Sequence, residues 1–172
     1  MTASALAVGP WAAPPASAGI SVPSSWRIST AGLGPLTIGM TIAHVRAEID
    51  SAFTPRQLGG EAPATGQCFL GHVGDPAQGV SVLGTGFRVA SVSITRRGIR
   101  TAKGVRVGDS VALLRRTYGR NIVPVRNFYV YSEIDWEYRR GNRKLIFFTA
   151  HDRVSRIDAG RRPEIDYVEG CA

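Results

Sequence analysis

LTIGMTIAHVRAEI, Leu36 to Ile49, returns 69 residues later as VRVGDSVALLRRTY, Val105 to Tyr118. In each copy apolar residues alternate with small or polar ones (Leu36, Ile38, Met40; Val105, Val107), the period of a short strand. A glycine follows, then Thr41 or Ser110. Either hydroxyl can accept a hydrogen bond from an open amide in the first turn of a helix. Ile42, Val45 and Ile49 fall at i, i+3 and i+7, and Val111, Leu114 and Tyr118 repeat that spacing, which makes one apolar stripe in each copy. Gly119 then stops the second stripe. The two stretches predict helices over 42–49 and 111–118.

A second echo lies downstream of each copy. VSVLGTGFRVASVSI (Val80 to Ile94) is matched by LIFFTAHDRVSRIDA (Leu145 to Ala159), offset by 65 residues. Both alternate across a turn and read as hairpins with one buried face. CFLGHV, from Cys68, reads as a further short strand. FYVYSEIDWEY (Phe128 to Tyr138) reads as an aromatic-rich one, and PEIDYVEGCA as a closing one. Residues 54–67 read as a loop by composition. These signals predict an α+β fold of two tandem helix-plus-antiparallel-strand repeats, in one or two small sheets with helices packed on one side. The expected organisation is a leader over 1–18, an irregular lead-in over 19–35, a first repeat over 36–99 and a second over 100–172, in one compact domain.

The chain has 172 residues, 44% of them hydrophobic, which suits a globular domain. No apolar run approaches the roughly 18–20 residues of a membrane span. The formal charge is +8, carried by 19 arginines and only Lys103 and Lys144. A basic surface can meet nucleic acid or an anionic wall polymer. The arginines are scattered beside Asp and Glu and form no block, which argues for ordinary surface charge and against nucleic acid. MTASALAVGPWAAPPASAG carries a small apolar run and then Ala16-Ser17-Ala18, a small-x-small pattern resembling the end of a secretory signal peptide. Cys68 and Cys171 are the two cysteines. In an oxidising compartment they would pair, and the expected localisation is extracellular.

The repeated φ-x-φ-G-[MD]-[TS]-x-x-x-φ start, followed by a helix and antiparallel strands, resembles two known groups. One is the tandem-repeat β-lactamase inhibitory protein family of actinomycetes, in which a Gly-Met-Thr turn opens the helix of each half. The other is the small outer-membrane lipoprotein module of the SmpA/OmlA type, which has one such unit. GVRVGDS in mid-chain and EGC near the end are similar to stretches of uncharacterised secreted actinobacterial proteins. The first resemblance covers 36–49 and 105–118, and the remainder only by the order of elements. It implies a secreted inhibitor of a hydrolase such as a β-lactamase.

The residues name no active site. His44, His72 and His151 lack the i, i+4 spacing of a helical zinc site, and there is no G-x-S-x-G elbow, P-loop or dinucleotide fingerprint. Neither a cofactor nor a metal is expected. Glu133, Asp135 and Glu137 would share one face of a strand. They are the candidate acid–base groups of a small hydrolase, or the solvated face of that strand paired with arginines. Tyr129, Tyr131, Trp136 and Tyr138 are the candidate interaction surface, because exposed aromatics anchor protein interfaces. The expected function is therefore an exported, non-enzymatic binding protein whose partner is a protein or an envelope component.

The cysteine pairing carries the first prediction. A bond needs Cα atoms within about 4.4–6.8 Å. For a loop of this length it stabilises by up to about 4.7 kcal/mol in the chain-entropy model. Thiol titration of the denatured, unreduced protein should find no free thiol in material purified from an oxidising compartment. Two free thiols per chain would remove the bridge and the strongest argument for export.

Overall fold

The computed structural model describes residues 22–49, 53–57 (backbone), 68–127 and 129–166. The leader expected over 1–18, and Cys171 with most of the closing segment, lie outside the described residues. The described helices and strands are, in order, β1 (Arg27–Ser29), β2 (Gly32–Leu33), β3 (Leu36–Thr37), α1 (Ile42–Ile49), β4 (Phe53–Gln57), β5 (Phe69–Val73), β6 (Val80–Thr85), β7 (Arg88–Ile94), β8 (Arg100–Thr101), α2 (Val111–Tyr118), β9 (Ile122–Arg126), β10 (Ile134–Arg140), β11 (Arg143–Ala150) and β12 (Arg153–Arg161). Both helices span the predicted residues, and Ser110 caps α2 by accepting from the Leu113 amide.

The expected α+β class is corrected. The molecule is mostly β, with two helices of eight residues each among the described residues. Its strands form an eight-stranded sheet in the order β4-β5-β6-β7-β12-β11-β10-β9 and a small four-stranded sheet, β3-β2-β1-β8. The reason lies in what the doubled motif encodes. Gly39 and Met40 exchange backbone hydrogen bonds with Val89, and the Ile42 amide donates to Phe87. Gly108 and Asp109 make the same exchange with Val154, and the Val111 amide donates to Asp152. Gly39 and Gly108 sit at φ 94° and 92°, a left-handed region that favours glycine. The motif thus specifies how a helix start is stitched to a hairpin. It carries no instruction on how strands are shared between layers. Leu36–Thr37 is a strand of the small sheet, whereas Val105–Val107 forms no strand, only an isolated bridge between Arg106 and Arg100.

Three further segments differ from the expected pattern. The lead-in supplies β1 and β2, and the stretch read as a loop from residue 54 begins with β4. Of the aromatic stretch expected as one strand, residues 129–133 form a loop and β10 follows, while β9 forms just ahead of them. Short or proline-bearing strands such as β9, with Pro124, give little alternation to read.

The large sheet buries one face. Val80 and Val82, Val92 and Ile94, Ile157 and Ala159, and Leu145 and Phe147 alternate inward from four neighbouring strands. They meet Ile28, Leu33 and Leu36 of the small sheet, Val45 and Ile49 of α1, and Leu114 and Tyr118 of α2 in one core. The Tyr118 ring stands edge-on to Phe147 and to Tyr138, with centroids 5.1 Å apart in each case. The other face carries mostly polar side chains at the intervening positions. Ser93, Asp158, Ile146 and Glu137 lie side by side in one row across β7, β12, β11 and β10. After β12 the chain turns back through Pro163 into a 3₁₀ turn, Glu164–Asp166, and seats Ile165 beside Gly160.

At the junction of β7 and β12 a Cβ on Gly160 would lie 2.7 Å from Ser91 Cβ and 2.9 Å from the Ala90 carbonyl oxygen. Gly160→Ala should therefore destabilise the protein by about 1–3 kcal/mol, measured by urea unfolding. An unchanged midpoint would contradict the closeness of this junction.

Candidate interaction surface and the charged cleft beside it

Asn127, directly after β9, organises the loop that leads to β10. Its Oδ1 accepts from the amides of Tyr129 (2.9 Å) and Val130 (2.8 Å), and its Nδ2 donates to Asp135 Oδ2 at 2.9 Å. Asparagine favours such turns because its side chain replaces a backbone partner. The Asn127 amide donates to the Glu133 carbonyl, and the Glu133 amide to that of Val130. Asp135 is itself held, since its Oδ1 accepts from the Thr149 amide at 3.1 Å. The loop between β9 and β10 is thus fixed from below by two buried side chains, Asn127 and Asp135.

That fixed loop lifts apolar side chains into solvent. Tyr129 is 64% exposed and Tyr131 76%, with Val130 between them exposed as well. Ile134 opens β10 directly after the loop, and Val123 lies further along β9, opposite Glu137. These five are all but one of the exposed large hydrophobic side chains among the described residues; the other, Phe87, sits at the β6–β7 turn.

The four aromatics expected to form one surface divide. Tyr129 and Tyr131 belong to the exposed loop. Trp136 and Tyr138 alternate onto the core face of β10 and are half-buried beneath α2. The Arg115 guanidinium lies 5.4 Å from the Trp136 ring centroid, and Tyr138 meets Tyr118. The acidic trio divides too. Glu133 lies ahead of β10 and lines a depression with Arg115, Ile134, His151 and Asp152. Asp135 and Glu137 point to the opposite face.

There they enter a cleft of about 200 Å³ between the exposed loop and the returning 3₁₀ turn. Its walls add Lys144, Arg156, Asp158 and Asp166, none of which the sequence alone marks as a site residue, over an apolar floor including Ile146 and Phe148. Lys144, only 3% exposed, donates to Glu137 Oε1 at 2.5 Å and to Asp166. Arg139 reaches the other Glu137 oxygen at 2.6 Å. Glu137 is thereby neutralised twice, and Asp166, bonded to Lys144 and Arg162, is held below the usual carboxylate range despite its partial burial. Asp158 differs. Burial pushes its pKa up to about 6, the nearby Asp135 carboxylate adds to the rise, and Arg156 and a hydrogen bond with Ser93 only partly oppose it. Arg156 Nε lies 3.2 Å from Asp158 Oδ1, an ion pair without hydrogen-bond geometry, and neither atom finds a hydrogen bond among the described residues. Asp135 is raised as well, chiefly by burial. The alternation IDAG within β12 places Asp158 on this face, but only the register of four strands shows what it meets.

A basic rim completes the surface. From Val111 to Ser132 the chain carries Arg115, Arg116, Arg120 and Arg126 and no acidic residue. All four are exposed. Arg126 pairs in register with Ile134 and lines the cleft with Tyr129, while Arg115 shares the opposite depression with Ser132 and Ile134. The loop therefore has a cation on either side. Cys68, the half of the expected disulfide that is described, lies half-buried just ahead of β5, far along the chain from this surface.

No family model matches this chain, and no curated protein does. Among solved structures it is similar to that of the uncharacterised protein YfeY from Escherichia coli, at 13% identity and a TM-score of 0.51, over 78% of this chain and 99% of that one. At that identity the likeness is one of fold.

Asp158 gives a pH-dependent prediction. A carboxyl whose pKa rises from 3.8 to about 6 on folding binds extra protons in the native state between those values. Its contribution therefore favours folding below that window and is lost as pH rises through it. Asp158→Asn has no such loss. Relative to the parent, it should gain about 2 kcal/mol in stability between pH 4 and pH 8, read by urea unfolding at both values. A pH-independent difference would show that Asp158 titrates normally.

Proposed function

We propose that this chain is an exported, non-catalytic binding protein of the cell envelope or extracellular space, and that it meets its partner through the loop bearing Tyr129, Val130 and Tyr131. The observation that carries the proposal is the gathering of exposed apolar side chains on one loop fixed by Asn127. Scattered exposed hydrophobics need no explanation, but a contiguous patch marks an interaction site. Fixing the loop beforehand lowers the ordering cost of association. Tyrosine suits the role, with a large amphipathic ring and few rotatable bonds.

Of the carboxylates named from the sequence as acid–base candidates, the two that enter the cleft are already engaged. A carboxylate acid–base pair needs one group free to accept a proton and another poised to donate it. Glu137 is tied to Lys144 and Arg139, and Asp135 to Asn127 and Thr149. Their visible work is to hold the loop and the returning chain. Export rests on the Ala16-Ser17-Ala18 pattern and on the two cysteines, Cys68 and Cys171, whose bonding the thiol titration tests.

The test compares Val130→Ser with Tyr131→Ser, made together, against Phe87→Ser, an equally exposed apolar residue elsewhere. The loop variant should keep its stability within about 0.5 kcal/mol, yet fail to retain components of the producing cell's wall and membrane fraction that the parent protein retains. Phe87→Ser should retain them. Equal loss in both variants, or in neither, would remove the loop from the interaction.

A further inference from the structure

We propose that the partner of this loop is the surface of an anionic lipid bilayer, a proposal that rests on the binding role assigned above and names what is bound. Three observations point the same way. Tyr129, Val130 and Tyr131 are consecutive and all exposed. Successive side chains at a loop tip radiate in different directions. A protein groove accepts those on one side, whereas a bilayer interface surrounds the tip and accepts all three. The hydroxyl of Tyr131 can remain among headgroups while its ring enters the acyl boundary, the placement that concentrates tyrosine at membrane interfaces.

The cations stand where such a docking needs them. Arg115 and Arg126 flank the loop from the two faces of the sheet, with Arg116 beside Arg115 on α2 and Arg120 ahead of β9, at the end of that strand away from the loop. None of the four has a carboxylate within ion-pair distance among the described residues. Glu133 and Asp152 share the depression of Arg115, and Asp135 and Asp158 share the cleft of Arg126, but each of the two cleft acids has other partners. Guanidinium groups beside an apolar tip reach lipid phosphates while their stems lie along the interface.

Finally, Pro124 lies in β9, an outer strand of the sheet. It lacks an amide to donate, which disfavours the alternative of a protein strand added along this edge. A shallow apolar tip with a cationic rim then remains to make contact. Such a surface adsorbs to a membrane without spanning it, and among the described residues no helix is long and apolar enough to span one.

The test is sedimentation of the whole chain with vesicles of phosphatidylglycerol and phosphatidylcholine, or of phosphatidylcholine alone. The variants are Val130→Ser with Tyr131→Ser, Arg115→Gln with Arg126→Gln, and a charge-matched control, Arg46→Gln with Arg97→Gln, on exposed sites elsewhere. All share the same amino terminus, so any contribution from it cancels. The parent should bind the anionic vesicles, bind them less as salt rises, and bind phosphatidylcholine at least about tenfold less tightly. The loop pair and the flanking arginine pair should each weaken binding about tenfold or more, and the control by less than about twofold. Unaltered binding by the loop pair, or equal weakening by the control, would show indiscriminate adsorption of a cationic protein and overturn the proposal. No vesicle binding, with envelope proteins still retained by the parent and lost by the loop pair, would overturn the lipid surface as partner and keep the binding role. Loss of both would overturn the two together.

Discussion

The molecule is held as one body by the antiparallel pairing of β7 with β12. Ile94 faces Ile157, Val92 faces Ala159, and Ser91 faces Gly160 across this seam. On one side of it lie β4 to β6 and on the other β9 to β11, each set running as a simple up-and-down series of strands. Without the seam there would be two four-stranded sheets, each with a raw edge at its best-packed strand. With it, the apolar faces merge, and the small sheet finds a surface wide enough to bury Ile28, Leu33 and Leu36 completely. Gly160 permits that closeness, because any side chain there would strike Ser91. The outward face inherits the same geometry: Asp158 meets Ser93 only because the two strands are neighbours.

Much of this was legible in the sequence at short range. Both helices, the cap at Ser110 and the hairpins around Gly86 and Asp152 follow from local chemistry, and local chemistry is what periodicity records. The layering was not legible. A strand-to-helix turn looks the same whether its strand joins a large sheet, a small one or none, so Leu36–Thr37 and Val105–Val107 read alike and fold differently. Strands of two residues, such as β2 and β8, have no period to detect.

The candidate surface shows a similar division. Tyr129 and Tyr131 were visible as aromatics, but alternation assigned them to the same strand as Trp136 and Tyr138. The asparagine that breaks that strand was the missing signal. Once Asn127 turns the chain, the first two tyrosines leave the sheet and the later pair enters the core beneath α2. Burying Asp135 raises its pKa and so opposes its ionised form. The hydrogen bonds from Asn127 and Thr149 offset part of that opposition and fix the loop in the process. A polar network beneath a protruding loop thus has a structural explanation before any catalytic one.

The enclosure of Lys144 has a practical side. Of the two lysines, Lys103 is open to solvent, and the ammonium of Lys144 is shut between Glu137 and the Asp166 carboxylate of the returning chain. An acylating reagent meets the first in the intact protein and the second only when residues 161–166 lift from the sheet. The pair therefore provides an internal clock. The modification rate of Lys144 relative to Lys103 reports how often that closing segment opens, with no substitution introduced into the chain.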